Sequence, residues 1–299
     1  MDTREEIRQF LTTRRAKITP QQAGLTAFGG NRRVTGLRRH EVAMLAGVSV
    51  EYYTKLERGN LAGASEQVLE AVARALQLDE AERAHLLDLA KTANAGGKPP
   101  RRRRAQHVRP GVLRLLETMT DAPAFVRNGR LDLLAVNPLA RALYSPALEN
   151  PANRDNLARF CFLDPAATTF YPQWEDSAST TVNLLRTEAG RDPYNPDLTE
   201  LVGELSTRSQ EFRARWAKHD VRLHHTGTKR FRHPAIGDLD LAFEAMPLPA
   251  DPGLTLPAYH AQPGTPAHDA LRLLASWAAT RQVESTAAGA TDPTVKRTE

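Results

Sequence analysis

The sequence predicts two domains of different fold class, an all-α bundle of five helices followed by an α+β domain with an antiparallel sheet. A length of 299 residues fits two domains, since a domain holds roughly 150 residues. In the first third of the chain, apolar residues recur at helical spacing between residues that favour helix ends. After residue 111, an Asn-Gly pair separates two short apolar runs, which is typical of a hairpin of antiparallel strands.

Composition sets the boundaries of the predicted segments. We assign residues 1–93 to the helical bundle, 112–282 to the α+β domain and 283–299 to a small, polar and disordered tail. Residues 94–111, NAGGKPPRRRRAQHVRPG, are rich in Gly, Pro and Arg and form a linker. Two interpretations of this linker stay open: a solvated basic spacer, or a segment that lies along a phosphate backbone.

The helices of the bundle are predicted from their start signals and apolar stripes. The first covers residues 5–17, and Pro20 with several glycines enforces a loop after it. Ser65 is an N-cap for the fourth helix. Asp79 and Glu82 form the capping-box pattern of the fifth helix.

The second and third helices occupy residues 38–59, RRHEVAMLAGVSVEYYTKLERG. Gly47 suits a turn that needs a positive φ, and the Ser49 hydroxyl can cap the third helix. The third helix buries Leu56 and one tyrosine, Tyr53 or, as the alternative, Tyr52. A short turn containing Gly between two such helices is a helix-turn-helix signature, and its second helix enters the major groove of DNA.

The second domain begins with a helix after residue 111 and continues with PAFVRNGRLDLLAVNPLARALY, which predicts strand, turn, strand and helix. Asn128 and Gly129 form the turn, because both residues accept a positive φ. Helical segments rich in large apolar side chains follow. Strand-like alternation returns at residues 221–225, 229–233, 238–246 and 254–260, and a helix at 266–280 closes the fold.

Charge is distributed unevenly although the net charge is only +5. Residues 1–60 hold 11 Lys and Arg against 6 Asp and Glu, and residues 101–109 add five arginines and no acid. Residues 110–299 are slightly acidic, with 20 basic and 23 acidic side chains. The basic first third is therefore where a polyanionic partner would dock.

Several classes of protein are disfavoured by composition. The single cysteine, Cys161, cannot form an intramolecular disulfide, which favours a reducing cytoplasm over secretion. No run of about 18 apolar residues predicts a membrane span, and the N-terminus lacks the apolar region of a secretory signal. We expect no membrane association, no cofactor and no metal.

Two long segments carry a resemblance to a known family. GLRRHEVAMLAGVSVEYYTKLERG, followed by SEQVLEAVARALQLDEAERAHLLDLA, resembles the xenobiotic-response-element (XRE) type of bacterial helix-turn-helix regulator. In the second half, PGVLRLLETMTDAPAFVRNGRLDLLAVNPLARALY, FLDPAATTFYPQWED and GTKRFRHPAIGDLDLAFE resemble the MmyB-like subfamily. The resemblance covers roughly residues 5–280. The family usually has an acidic residue at the position of His40, and the loop TAFGGNRR is longer than usual.

The resemblance implies a repressor or activator with a DNA-binding bundle and a C-terminal PAS-like domain that binds a small, apolar or lipid-like molecule. It also implies which residues contact DNA, since the residues after the third helix's N-cap reach base edges in related regulators. We assign base contacts to Val50, Glu51, Tyr52 and Lys55, which match groups on thymine, cytosine and guanine. We assign phosphate contacts to Ser49, Arg38, Arg39 and Arg58, and phosphate or minor-groove contacts to Arg32 and Arg33. The alternative for each is a solvated surface residue.

A PAS-like domain can leave a cavity between its sheet and its helices, where a small ligand binds. Candidate pocket residues for an apolar or fatty-acid-like ligand are aromatic: Phe125, Phe170, Trp174, Phe212, Trp216 and Phe231. For each of them alone, an ordinary hydrophobic core is favoured over a pocket, so the hypothesis concerns the domain as a whole.

An enzyme would have to use the histidines at 219, 224, 225 and 233, yet their spacing matches no metal-binding signature. His233 before Pro234 is interpreted as structural, with its ring hydrogen-bonded to a turn. Cys161, between two phenylalanines, is interpreted as an inert core thiol. The sequence therefore predicts a protein that is not an enzyme.

A third interpretation makes the second domain only a dimerisation or protein-docking module. A homodimer on a palindromic double-stranded operator would place its two reading helices about 34 Å apart. Dimerisation is compatible with ligand sensing, in which a bound ligand changes DNA affinity by about 1–3 kcal/mol.

Overall fold

The computed structural model describes residues 3–25, 34, 36–94, 107–218 and 225–289. The first part of the chain forms the five predicted helices: α1 (Thr3–Lys17), α2 (Arg39–Ala46), α3 (Val50–Glu57), α4 (Glu66–Ala75) and α5 (Glu80–Asn94). The Ser65 side chain caps α4 by accepting the Val68 amide at 3.3 Å. Asp79 and Glu82 exchange backbone-to-side-chain hydrogen bonds of 2.9 and 3.2 Å, which confirms the predicted capping box of α5.

The core of the bundle follows the predicted apolar stripes. Its fully buried side chains include Ile7, Phe10, Leu11, Val42, Tyr53, Leu56, Val72, Leu86 and Leu89. Val48, in the turn before α3, packs against this core. Leu45 is 37% exposed, because the buried side of α2 is formed by Val42, Ala43 and Ala46.

The rest of the chain contains a further nine helices and one 3-10 turn within the described residues. These are α6 (Pro110–Thr118), α7 (Pro138–Leu143), α8 (Ser145–Leu148), the turn Pro151–Asn153, α9 (Leu157–Leu163), α10 (Ala166–Phe170), α11 (Trp174–Arg191), α12 (Pro196–Arg208), α13 (Gln210–Trp216) and α14 (Pro266–Gly289). The last helix extends to Gly289, so the predicted disordered tail does not begin at residue 283. Small residues such as alanine continue a helix readily, because alanine has the highest helix propensity.

A five-stranded sheet is formed by β1 (Phe125–Asn128), β2 (Leu133–Val136), β3 (Thr226–His233), β4 (Gly237–Pro247) and β5 (Leu254–His260). The strand order is β2-β1-β5-β4-β3, and every neighbouring pair is antiparallel. The predicted α+β layout with an antiparallel sheet is confirmed. Strand β3 begins at Thr226, so His225 lies outside it, and residues 221–224 of the predicted strand lie outside the described residues.

The turn between β1 and β2 differs from the predicted Asn-Gly turn. The positive φ, 69°, occurs at Leu131, three residues after Asn128. The Asn128 side-chain oxygen accepts the amides of Arg130 at 2.9 Å and Asp132 at 3.0 Å, so it organises a longer turn. Leu131 is 3% exposed, and burial of its side chain offsets the cost of its left-handed backbone.

The chain divides into two compact units. The first comprises Met1–Arg104 and Ala178–Leu223, and the second comprises Ala105–Ser177 and His224–Glu299. The first unit thus includes α12, α13 and most of α11 beside the five-helix bundle. The sequence predicted these helices in the second domain, so the bounds 1–93, 94–111 and 112–282 stay a prediction. Residues 95–106 of the predicted linker lie outside the described residues.

In the second unit, the two faces of the sheet have different cores. Helix α6 covers one face, the outer face, through Val112 and Leu116, which pack against Val126 and Leu256. The other face, the inner face, packs against α7, α10 and α14 and carries the large aromatic side chains.

Candidate functional sites in the two units

Helix α3 is held at its start by two local features. Gly47 has a φ of 67°, a left-handed conformation that favours glycine, and the Val48 amide donates to the Ala43 carbonyl at 3.0 Å. The Ser49 side chain then accepts the Tyr52 amide at 3.0 Å. The predicted turn and N-cap are both present, and the Ser49 hydroxyl proton can still be donated to a phosphate.

One side of α3 is buried and the other is exposed. Tyr53 is 0% exposed and Leu56 1% exposed, so these two side chains anchor the helix in the bundle core. Val50 is 41% exposed, and Glu51 and Lys55 are also on the surface. Because Glu51 and Lys55 are four residues apart, they lie on one side of the helix. The structure therefore brings three of the predicted base-contacting residues together on one accessible stripe.

The two adjacent tyrosines have different environments. Tyr53 is the buried one, and its burial raises the pKa of its phenol, with the Glu57 carboxylate raising it further. Tyr52 is half-buried and packs against the bundle core. Only part of its ring is therefore available for the predicted base contact.

Glu57, the last residue of α3, is 1% exposed and forms an ion-pair network that the sequence did not reveal. Its carboxylate accepts from Arg15 of α1 at 2.6 Å, from Arg39 of α2 and from the Thr12 hydroxyl at 3.4 Å. A buried carboxylate is tolerated when it is paired in this way. The signal that could have revealed it is spacing, because Glu57 lies four residues after Tyr53 and so on the buried side of α3.

The predicted phosphate-contacting arginines differ in how free they are to reach DNA. Arg38 and Arg58 are exposed at the start of α2 and the end of α3. The Arg39 side chain is 52% exposed, but its Nε atom donates to Glu57. Arg39 therefore braces α3 against α2, and any phosphate contact uses its remaining N–H groups.

A groove of about 480 Å³ runs along the exposed side of α3. It is lined by Arg4, Val50, Glu51, Thr54, Lys55, Arg58 and Asn60. Arg4 belongs to α1, and the backbones of α1 and α3 approach closely there: a Cβ on Gly59 would lie 2.2 Å from the Arg4 carbonyl oxygen. Arg4 is a candidate phosphate contact that sequence spacing could not reveal. Arg32 and Arg33 lie outside the described residues.

The inner face of the sheet in the second unit carries a continuous cluster of aromatic rings. Phe125 lies 5.4 Å from Tyr144, and Phe170 lies 5.4 Å from Phe231, both measured between ring centroids. Trp174 packs at the edge of this cluster, and its indole N–H donates to the Cys161 carbonyl at 2.9 Å. Four of the six predicted pocket residues are therefore in one core. We call this set, with Tyr171 and Tyr259, the aromatic core.

Two basic residues extend into the aromatic core, and the sequence did not single them out. The Lys229 Nζ atom lies 4.2 Å from the centroid of the Tyr171 ring. Arg127 is 9% exposed and donates to the Asn128 carbonyl at 3.3 Å. Burial lowers the pKa of Lys229 to about 8, and Arg127 lowers it further in the same direction. The core thus contains positive charge as well as apolar surface.

Two family matches agree with this division of sites. Residues 8–86 match the family described as a helix-turn-helix domain. Residues 108–274, more than half of the chain, match the family described as the MmyB-like transcription regulator ligand binding domain. The chain belongs to the MmyB-like transcription regulators. No curated protein matches this MmyB-like regulator.

Within the MmyB-like regulator, the helix-turn-helix match contains α2, α3 and the exposed stripe. The ligand-binding-domain match contains the sheet and the aromatic core. A transcription regulator with a DNA-binding part and a ligand-binding part is therefore what the sequence resemblance implied, and that expectation is confirmed.

Two predicted pocket residues are placed elsewhere. Phe212 and Trp216 belong to α13 in the first unit, where their rings stack at 5.5 Å. The Arg186 guanidinium lies 4.1 Å above the Trp216 ring and pairs with Glu6 of α1. Their role in the pocket stays a prediction, since α13 lies in the first unit and these two rings are not part of the aromatic core.

Of the four histidines that an enzyme would have to use, the structure describes His225 and His233. His233 is 1% exposed; its Nε2 atom lies 3.1 Å from the Ala142 carbonyl, and its Nδ1 atom accepts the Ala235 amide at 3.2 Å. Burial lowers the pKa of His233. His233 is therefore structural, as interpreted from the sequence. His225 is exposed, and His219 and His224 lie outside the described residues.

The ranges that the structure describes contain neither a cluster of metal-ligating side chains nor a helix suited to cross a membrane. No three His, Cys, Asp or Glu side chains are close enough there to hold a metal ion. None of the helices in those ranges is both long enough and apolar enough to cross a bilayer. Cys161 is buried and close enough to Lys229 to influence the pKa of the lysine.

Proposed function

We propose that this MmyB-like regulator binds a double-stranded operator through α3, and that a small apolar or fatty-acid-like ligand in the second unit modulates its DNA affinity. The observation that supports DNA contact most directly is the exposed stripe of Val50, Glu51 and Lys55. It lies opposite the buried Tyr53 and Leu56, so the helix can present these side chains without losing its place in the core.

The chemistry of the stripe suits base recognition in the major groove. The Lys55 ammonium can donate to guanine O6 and N7, the Glu51 carboxylate can accept from cytosine N4, and Val50 can contact a thymine methyl group. Arg38 and Arg58 flank the stripe and can bind phosphates on either side. The formal charge of residues 1–60, 11 basic against 6 acidic, favours approach to DNA.

In this proposal the regulator acts as a homodimer on a palindromic operator. Two-fold symmetry would place two copies of α3 about 34 Å apart in successive major grooves. The ligand shifts the population of dimers with that spacing. Its coupling free energy with the operator is typically about 1–3 kcal/mol, which is 5- to 150-fold in affinity.

The test begins with selection of genomic fragments that the purified protein retains, followed by fluorescence anisotropy on the enriched duplex and on a shuffled duplex. We expect at least a 1,000-fold preference for the enriched duplex at physiological salt. Equal binding of both duplexes would reject operator recognition. Ligand coupling is tested separately, since the operator must change ligand affinity by the same factor by which ligand changes operator affinity.

A second candidate function is supported by apolar surface on α6. Leu115 is 55% exposed and Leu113 37% exposed, although the opposite side of α6 covers the sheet. Such side chains favour a second domain that serves only for dimerisation or protein docking. Native mass spectrometry separates the candidates: a co-purified small molecule supports sensing, whereas apo dimers that bind no added ligand support docking.

A further inference from the structure

The first turn of α1 contacts two different parts of the first unit. Arg4 lines the groove along α3, and Glu6 pairs with Arg186 of α11. Residues two apart in an α-helix are separated by roughly 200° around the helix axis, so these two side chains leave α1 on nearly opposite sides. The first turn of α1 therefore meets the candidate DNA-binding groove with one side and α11 with the other.

Arg186 is fully buried where it meets α1. Its side chain is 0% exposed, and that of Glu6 is 11% exposed. The guanidinium donates to the Glu6 carboxylate and to the Trp216 carbonyl, and it lies 4.1 Å from the centroid of the Trp216 ring. Charge-assisted hydrogen bonds and cation–π contacts are both stronger when water is excluded, so this guanidinium fixes α1 against α11 and α13.

Helix α11 is itself held against the bundle by close packing with α5. Gly190, one turn after Arg186, leaves no room for a side chain, because a Cβ there would collide with the His85 ring. The Thr92 hydroxyl donates to the Gly190 carbonyl at 3.4 Å. Arg186 therefore reaches α1 from a helix whose backbone is in direct contact with the bundle.

The other side of the first turn is placed closely against the end of α3. Gly59, two residues after α3, has a φ of 89°, and a Cβ on it would collide with the backbone and side chain of Arg4. Arg4 is exposed and shares the groove with Lys55 and Arg58. A guanidinium has five N–H donors, so Arg4 can bind a phosphate and keep its contacts within the protein.

These contacts join residues that the two family matches keep apart. Arg4 and Glu6 precede the helix-turn-helix match, which begins at residue 8. Arg186 and Trp216 lie within the ligand-binding-domain match. A buried ion pair is weak support for stability, because burial removes the hydration of both ions, but its exact partners can fix one arrangement of the chain.

We infer that Arg186 is a positioning residue for DNA binding, which holds the first turn of α1 so that Arg4 contacts a phosphate of the bound DNA. The inference rests on the proposed binding of DNA through α3 and deepens it. With Arg186 paired to Glu6, the first turn is ordered before DNA binds, and less conformational freedom is lost in the complex. Without that pairing the turn frays, because a helix end is its least stable part.

The experiment measures fluorescence anisotropy of the full chain on the enriched duplex and on the shuffled duplex at several salt concentrations. The variants are Arg4→Ala, Arg186→Met and the double variant. Glu6→Gln weakens the same ion pair by a smaller change. Arg208→Met is the matched control, because Arg208 lies in the same family match and its side chain is 57% exposed on α12, outside the groove. Near-ultraviolet circular dichroism verifies that each variant is folded.

We expect Arg4→Ala and Arg186→Met each to weaken both duplexes by about threefold or more and to lower the slope of log affinity against log salt concentration by about one. The double variant should be no weaker than Arg4→Ala alone, because Arg186 acts through Arg4. Glu6→Gln should change affinity and slope in the same direction, and Arg208→Met should change neither. A merely structural loss would lower the folded fraction without changing the salt slope.

An unchanged affinity and slope in Arg4→Ala, or losses that multiply in the double variant, would overturn the inference and leave operator recognition intact. If Arg186→Met does not fold, Glu6→Gln takes its place in the same comparison with Arg4→Ala. Equal binding of the two duplexes by the unaltered protein would reject operator recognition alone, since the phosphate contact is still measured by the slope. If the unaltered protein binds neither duplex, both the proposed function and the inference are rejected.

Discussion

The carboxylate of Glu57 lies 2.6 Å from the Nε atom of Arg15, and this ion pair joins the end of α3 to α1, the first helix of the bundle. Arg39 of α2 pairs with the other carboxylate oxygen. One buried acidic side chain therefore orients all three helices that surround the candidate DNA-binding stripe. Glu51, six residues earlier on the same helix, is exposed and is not buried in the core as Glu57 is.

Replacing Glu57 with Gln should destabilise the bundle without changing which DNA it prefers. The amide cannot balance the charge of Arg15 and Arg39, and losing a buried charged partner costs about 1–3 kcal/mol. Urea unfolding followed by circular dichroism measures the loss. The matched control is Glu51→Gln, the same chemical change at an exposed position, which should alter stability by less than about 0.5 kcal/mol. Equal stability of the two variants would contradict the role of the network.

Changes in the exposed stripe should alter sequence preference. Lys55→Ala removes the proposed donor to guanine and should cost about 1–3 kcal/mol on the operator while leaving shuffled DNA less affected. The measurement is anisotropy on both duplexes and on operators with single base changes. Lys91→Ala is the control, because the Lys91 side chain is 78% exposed on α5 and lies outside the groove. A specificity loss of the same size in the control would reject the docking of α3.

Arg38→Ala should instead weaken binding to all duplexes by a similar factor. Its proposed contact is with phosphate, which carries no base identity, so operator and shuffled DNA should lose affinity together. The slope of log affinity against log salt concentration should fall by about one for one lost phosphate contact. A change of base preference with an unchanged slope would show that Arg38 contacts a base edge.

Lys229→Met should stabilise the protein. The pKa of Lys229 is about 8 in the folded protein against 10.5 for an ordinary lysine, so at pH 7 the fold carries a buried charge. Removing that charge should add about 1–3 kcal/mol. Above pH 8 the folded protein releases this proton before the unfolded chain does, so stability of the unaltered protein rises towards pH 10.5 and the advantage of Met shrinks.

The measurement is thermal unfolding at pH 7 and pH 10, with Lys91→Met as the exposed control. That control should show no gain at either pH. A destabilised Lys229→Met protein would mean that the ammonium already has a favourable partner in the fold.

His233 should make the second unit sensitive to acid. Burial lowers its pKa in the folded state, so the folded protein holds the neutral ring, whereas the unfolded chain takes up a proton below about pH 6.5. The stability that neutral His233 gives the folded state is therefore fully present above about pH 6.5. It is lost as the pH falls towards the folded-state pKa of this histidine. Chemical unfolding between pH 7 and pH 5 should show a smaller decline for His233→Gln than for the unaltered protein. Parallel declines in the two proteins would assign the acid sensitivity to other groups.

Sequence signals predicted the structure correctly where the interactions join residues that are close together in the chain. The N-cap at Ser49, the glycine at 47 and the capping box at Asp79 all depend on residues within four positions of each other. The antiparallel strands followed from alternation along short runs. The turn after β1 was less predictable, because the buried side chain of Leu131 decided which residue took the positive φ.

By itself, the sequence determined the helix-turn-helix, the sheet-containing second half and the residues of the exposed stripe, since spacing and capping encode which side of a helix faces outward. Only the tertiary structure decided that Glu57 is buried in an ion-pair network, that Arg4 reaches the groove, that Phe212 and Trp216 belong to the first unit, and that Lys229 lies among aromatic rings. Each of these facts joins residues far apart in the chain. A pattern along one segment cannot show which distant segment will provide its ion-pair partner, its neighbouring aromatic ring or the side chains that bury it.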